Sequence, residues 1–305
     1  MARTWIIGGA HQDAFDIGAS GTLFVPNETV SLIRPGRAGP RMVFGTDKRT
    51  VGFHHKRRFI RGLSISVYNR NSEETIALLA IQLMPGVGYK RMNRLVAGAV
   101  RHGCTLLSLL DHEGADIQRR FPWLDAGAAS ILANHNPCGR EIAEAHIRNA
   151  RRHDILPITL LDSAYPETFR HSLGESAPPL VFARGNIKLL DLCSGAVAGT
   201  RAPSPRGVTA ARRAAECIVE HVRVVTSGGA FGVDWAAHDA AIEAGGATII
   251  ILPQGLLTYR LPSKWRRAYD TGSVLLLSES LPDAPWQTHA AVARNALISA
   301  QAQVV

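Results

Sequence analysis

SGGAFGVDWAAH, Ser227 to His238, is the stretch whose reading decides the fold. Arg223 to Thr226 ahead of it is a short β-branched run, and Val233 to Ala244 behind it reads as a helix. A strand that breaks into Ser-Gly-Gly and restarts as a helix brings unpaired backbone N–H groups and a helix N-terminus to one point, which suits an anion. Gly228 and Gly229 can take positive φ and admit a close approach, while Gly232 lets the helix start pack tightly. Asp234 falls in the first helical turn, where a carboxylate suits the macrodipole. Such turns also occur in α/β proteins that bind nothing there, so the pattern alone assigns no ligand.

Working outward, the same grammar recurs upstream. GAVAGT, Gly195 to Thr200, reads as a small apolar strand, Arg201 follows at once, and Pro205 opens a helix with apolar positions Val208, Ala211, Ala215, Ile218, Val219 and Val222. Downstream, Gly245-Gly246 closes the later helix and ATIIIL, Ala247 to Leu252, is apolar throughout. Continuous apolar runs suit strands buried on both faces of a parallel sheet. The unit is therefore α/β and doubly wound, and ligands of such sheets sit beyond the C-terminal strand ends. Arg201, Ser227 and Pro253 all fall there. Ser273 to Ser278 (SVLLLS) reads as a fourth strand, and Arg294-Asn295 opens a last helix.

Composition narrows the class of partner. The 305 residues carry 34 Lys and Arg against 25 Asp and Glu, a formal charge of +9, which favours an anionic partner. No stretch reads as a basic amphipathic membrane anchor, a signal peptide or an eighteen-residue apolar span. Cys104, Cys138, Cys193 and Cys217 lack metal-ligand spacing and read as reduced thiols of a cytoplasmic protein. His135 and Cys138, three apart with no second pair near, read as a loop, so no metal or cofactor is expected.

Three regions are expected. Residues 1–70 mix Gly, Arg and His, include HHKRR at His54 to Arg58, and read as a poorly ordered basic extension. Residues 71–153 are helical, opening at the capping pattern SEET from Ser72. Within them, Pro85-Gly86-Val87-Gly88 between two helices resembles a helix-hairpin-helix, whose glycine amides could hold a phosphate with Lys90, Arg91 and Arg94 adding charge. The competing reading is a turn joining two packed helices, so Gly86, Gly88, Lys90 and Arg91 are only a secondary candidate for a phosphate contact. Residues 154–305 form the α/β core.

GAVAGTRAPSPRG, TSGGAFGVDWAAHDAAIEAGGATIIILPQGL, LLLSES and Ala293-Arg294-Asn295 occur in the order and spacing of the DprA/Smf family of DNA-processing proteins, a resemblance covering Ser72 to the C-terminus. It implies a Rossmann-like, mostly parallel sheet behind an N-terminal helical domain of helix-hairpin-helix or SAM-like type. It implies a non-catalytic cytoplasmic protein that binds single-stranded DNA, helps load RecA during uptake and recombination of DNA in natural transformation, and forms a homodimer. Arg201 matches the basic residue of the family's G-S/T-R motif, which faces the DNA. The resemblance and the strand-end geometry together give a groove of Gly199, Thr200, Arg201, Arg206, Ser227, Gly228, Gly229, Phe231, Arg260, Lys264, Arg294 and Asn295. Asp234 and His238, four apart on one helix face, read as capping and packing groups.

The chain departs from the family pattern in two places. Phe231 stands where a Lys or Arg is common, removing a cation and offering a face on which a base can stack. Arg206 stands where tyrosine is usual. The chain stops at Val304-Val305, where the family continues into a further strand, so the expectation is either a sheet one strand short with an exposed edge or a degenerate or truncated relative. Two other functions fit a fold of this kind. One is a nucleotide sensor or phosphoribohydrolase, although the PGGxGTxxE motif of those enzymes is absent at Leu252-Pro253-Gln254-Gly255. The other is a partner-binding relative with reduced affinity for DNA.

Overall fold

The computed structural model describes residues 16–17, 23–24, 72–110, 116–133 and 138–303. The basic extension expected over residues 1–70 lies outside them, apart from the two-residue antiparallel pairing of β1 (Asp16–Ile17) with β2 (Leu23–Phe24). His135 lies outside them too.

The helical region comprises α1 (Ser72–Gln82), α2 (Tyr89–Arg101), α3 (Leu106–Leu110), α4 (Asp116–Arg120), α5 (Ala126–Ala133) and α6 (Cys138–Arg152). Ile76 through Ile81 are all buried, so α1 is apolar all round and forms the centre of this region. Glu74, in its first turn, serves another helix instead of its own. The carboxylate accepts the Leu106 and Leu107 amides at 2.9 and 3.2 Å, satisfying orphan donors at the start of α3.

Beyond α6 come β3 (Leu156–Thr159), α7 (Glu167–Leu173), β4 (Leu180–Gly185), β5 (Ser194–Ala196), α8 (Pro205–Val222), β6 (Val224–Ser227), α9 (Val233–Glu243), β7 (Ala247–Leu252), α10 (Arg266–Asp270), β8 (Val274–Ser278), α11 (Thr288–Ala293) and α12 (Asn295–Gln301). Their six strands form one sheet in the order β3-β4-β8-β7-β6-β5. β5 to β8 pair in parallel, and β4 is antiparallel to both β3 and β8. Strands β6, β7 and β8 are buried along almost their whole length, as their apolar runs require. One face packs α8 and α9 through Val225, Ala215 and Ala237. The other packs α7 and α12 through Phe169, Leu297 and Ile298 against Ile249, Ile251 and Leu275. This is the Rossmann-like, mostly parallel arrangement expected.

The boundary expected near His153 coincides with the end of α6 at Arg152. Packing nevertheless runs across it, because Ile81, Leu132 and Ile147 share one apolar cluster with Leu180, Ile250 and Leu276. Polar ties reinforce the join: Tyr89 donates to Glu279 at 3.0 Å, and Asn93 donates to the Ala177 carbonyl at 2.8 Å.

β5 is shorter than the run Gly195 to Thr200 suggested. Only Val197 continues the pairing, by donating to Thr226 O at 3.1 Å. The chain then turns off the sheet to meet α9, where the Thr200 carbonyl accepts the Val233 amide at 3.2 Å. Arg201 therefore sits on a loop five residues past the strand. The edge of β5 is also partly covered: Gln303 donates its amide to Ser194 O at 2.9 Å and accepts the Ser194 amide on its side chain at 2.7 Å.

Candidate nucleic-acid interface

The C-terminal ends of β5, β6, β7 and β8 lie along one rim, in register Ala196↔Thr226, Ser227↔Ile250 and Leu252↔Ser278. Four loops rise from it. The loop after β6 is the glycine turn, in which Gly229 and Gly232 have φ of +72° and +92°. A Cβ on Gly232 would lie 2.5 Å from Thr200 O, so the loops after β5 and β6 touch backbone to backbone. Those after β7 and β8 are laced together by Gly255 N to Ala284 O at 2.9 Å, Leu257 N to Pro282 O at 2.8 Å and Ser280 Oγ to Pro253 O at 2.7 Å.

Part of the expected anion site is taken by the chain itself. Val233 gives its amide to Thr200 O, and the Ala230 amide donates to the Asp234 carboxylate at 3.3 Å. Burial pushes the Asp234 carboxyl up, against the opposing pull of Arg294 and the Ala230 and Gly199 amides. Among the described residues, the amides of Gly228, Gly229, Phe231 and Gly232 have no acceptor within the chain. They remain free for an outside group.

The expected groove residues divide by placement. Arg201, Arg206 and Arg260 are exposed and carry no ion pair among the described residues. The Arg201 guanidinium lies over the ring of Trp286, 5.3 Å from its centroid. Gly199 and Thr200 are exposed beside it, with Gly199 pressed against Val233. Lys264 is exposed but committed, 2.6 Å from Asp239 and stacked over Trp235 and Trp265. Phe231 is 69% exposed and leans on Trp235, ring centroids 4.6 Å apart.

Two residues are internal. The Ser227 hydroxyl is fully buried and donates to Val197 O, joining β6 to the loop after β5. Arg294 is 4% exposed, with Nη1 donating to Ile251 O at 3.0 Å directly beneath Gly228 and its Nε unpartnered. Burial pulls its pKa below the usual arginine range; Asp234 opposes that shift and Arg201 adds to it by like charge. Arg294 thus braces the glycine turn and lends it positive potential from below, with Asn295 exposed next to it.

His238, the other helix residue flagged by spacing, is fully buried. Its Nδ1 meets Thr248 Oγ1 at 2.6 Å, and Thr248 in turn donates to Val225 O at 2.9 Å. Burial holds its pKa down to about 3, so it packs as a neutral ring. Sequence reasoning missed Trp286, Trp235, Trp265 and Asp239, since nothing in their spacing marks them as neighbours of Arg201 or Lys264.

The secondary contact lies elsewhere. Gly86, Gly88, Lys90, Arg91 and Arg94 line a cleft with Asp125 and Ser176. Arg91 Nη1 donates back to Gly86 O, and Arg94 is bound to Glu175 at 2.9 Å. Much of the charge expected on α2 is therefore spent within the chain.

Among the described residues, no group of three or more His, Cys, Asp or Glu is placed to hold a metal ion. No described helix is long and apolar enough to cross a membrane. Cys104, Cys193 and Cys217 are free thiols.

Residues 157–305 match the family described as DNA recombination-mediator protein A. The chain is 36% identical to DNA processing protein DprA of Streptococcus pneumoniae over 143 residues, 46% of this chain and 49% of that protein. It is 33% identical to Protein Smf of Escherichia coli over 127 residues, 40% of this chain and 33% of that one. The alignments thus span about half or less of the curated relatives' length. Among solved structures, DNA processing protein A from Streptococcus pneumoniae superimposes with a TM-score of 0.47 at 26% identity, over 71% of this chain and 76% of that one. A structure described as showing the single-stranded DNA binding mode of DNA processing protein A from Helicobacter pylori gives 0.40 at 26% identity, over 48% and 66%. Through residues 157–305, the chain belongs to the DprA/Smf family of DNA recombination-mediator proteins.

Proposed function

We propose that this protein binds single-stranded DNA along the rim of β5 to β8, without breaking a bond, and passes the strand to RecA during recombination of incoming DNA. The observation that carries the reading is the convergence of exposed Arg201, the unbonded amides of the glycine turn and the buried Arg294 beneath Gly228. A cation at the surface, a second one below and N–H groups between them match a phosphate. Phe231 and the cations Arg206, Arg260 and Lys264 extend the surface to either side, and an aromatic face accepts any base. Among the described residues, no nucleophile, base and orienting group stand together at the rim, which favours binding over chemistry. The recombination-mediator family and the DNA-processing relatives support the same direction.

The test is binding of a labelled oligonucleotide, single-stranded against duplex, across a salt series, with Arg201→Ala alongside. Arg201 is exposed, so the variant keeps the fold. We expect log K to fall linearly with log salt for the wild type, and the slope to shrink by about 0.7 in the variant for one lost phosphate contact on a single strand. Unchanged affinity in the variant overturns the site. A well-folded wild type that binds neither strand overturns the reading and favours the partner-binding alternative, for which the internal use of Arg294 and the pairing of Lys264 are the motivating observations.

A further inference from the structure

Six large hydrophobic side chains are exposed among the described residues, and four of them, Leu83, Ile142, Leu192 and Val292, are aliphatic. The two aromatic ones, Phe231 and Trp286, both belong to loops of the same rim, one after β6 and one after β8. Phe231 stands where the glycine turn had already drawn attention. Trp286 does not: it sits in PDAPWQ, without a motif, and is 45% exposed.

Its surroundings are built rather than loose. The loop that carries it is tied at Pro282 and Ala284 to the backbone of Leu257 and Gly255. A Cβ on Gly255 would lie 2.2 Å from Leu281 O, so the two loops meet without side chains between them. Just beyond, Trp286 takes the Arg201 guanidinium against its ring. A cation held on an aromatic face is oriented before any ligand arrives, which lowers the ordering cost of binding.

Resting on the reading above, we propose that Trp286 is the residue that makes the rim select unpaired over paired strands: its indole stacks a nucleobase while Arg201, positioned by the same ring, takes the adjoining phosphate. In a duplex the base faces are covered by their neighbours and only phosphates are offered, so Arg201 alone can engage. In an unpaired strand a base can turn out onto the indole, whatever its identity. Strand state, not sequence, is what such a pair discriminates.

The experiment measures affinity of the whole chain for three labelled probes of equal length: an oligothymidine strand, a strand of abasic sugars and a duplex. Trp286→Ala is expected to weaken oligothymidine binding by about 5- to 150-fold, the range for one lost base stack. The abasic strand and the duplex lose only the ring's support of Arg201, so their affinities should fall severalfold less than that of oligothymidine, and Trp286→Phe should retain most of the oligothymidine affinity. Unchanged oligothymidine binding in Trp286→Ala overturns the proposal. So does an equal loss on all three probes, which would reduce Trp286 to a prop for Arg201. If the wild type itself binds no probe, the parent reading fails and this one with it, so the two failures are told apart by the wild-type titration.

Discussion

Gly228 is the point where the rim is most tightly determined, and an alanine there tests the internal role of Arg294. A Cβ at this position would lie 1.4 Å from Arg294 Nη1 and 2.3 Å from its Cζ, inside the guanidinium. The φ of Gly228 lies outside the left-handed region, so backbone strain adds nothing. What must give is the arginine. Its Nη1 loses the 3.0 Å bond to Ile251 O, in a place only 4% exposed, and the group moves relative to Asp234. A hydrogen bond from a charged donor contributes about 1.5–3 kcal/mol, and removing one partner of a buried pair costs about 3–5. The arginine stays in the chain and keeps part of its pairing, so Gly228→Ala should cost about 2–4 kcal/mol. In an Arg294→Ala background the obstruction is gone, and the same change should cost less than about 0.5 kcal/mol. Urea unfolding of the four chains at pH 7, followed by circular dichroism, closes the cycle. Additive costs would refute the reasoning, because they would show that Gly228 is constrained by something other than Arg294.

Two further outcomes follow from the buried polar groups. His238, held down to about 3 by burial, stays neutral in the fold, whereas an unfolded chain protonates it near 6.5. Its contribution to stability is whole above that value and declines as the pH falls from about 6.5 toward 3. Between pH 7 and 5.5 this group should remove about 1 kcal/mol of unfolding free energy. The same loss should be absent from His238→Gln, and parallel pH curves for the two chains would disprove the assignment; subtraction cancels the opposite contributions of Asp234 and Glu279, both raised by burial. Tyr89→Phe removes the 3.0 Å bond to Glu279 that ties α2 to the end of β8, and should cost about 1.5–3 kcal/mol by the same urea assay. A change below about 0.5 kcal/mol would mean that this tie between helical region and sheet is idle.

The strands, the glycine turn and the helices behind it were legible because each is written locally. The β-branched apolar run ATIIIL suits a buried strand, Pro205 after Ser204 marks a helix start, and the Ser204 hydroxyl does accept the Gly207 amide at 3.2 Å. Arg201 was expected at a strand end and is exposed, although β5 stops five residues before it; Arg206 and Arg260 are exposed too, at the start of α8 and in the loop after β7. What the sequence could not decide was which groups the chain would consume itself. Arg294 follows the turn by some sixty residues and reads as another phosphate ligand until folding places it beneath Gly228, where the loss of water makes Ile251 O its hydrogen-bond partner and the Asp234 carboxylate an opposite charge acting on it. Asp239 does the same for Lys264 and Trp265. Trp286 is the reverse case, a residue without a pattern that meets Arg201 only because two loop backbones come together at Gly255. Local pattern determines which elements form and which ends carry charge; only the packing of distant segments decides which of those charges are left for a ligand.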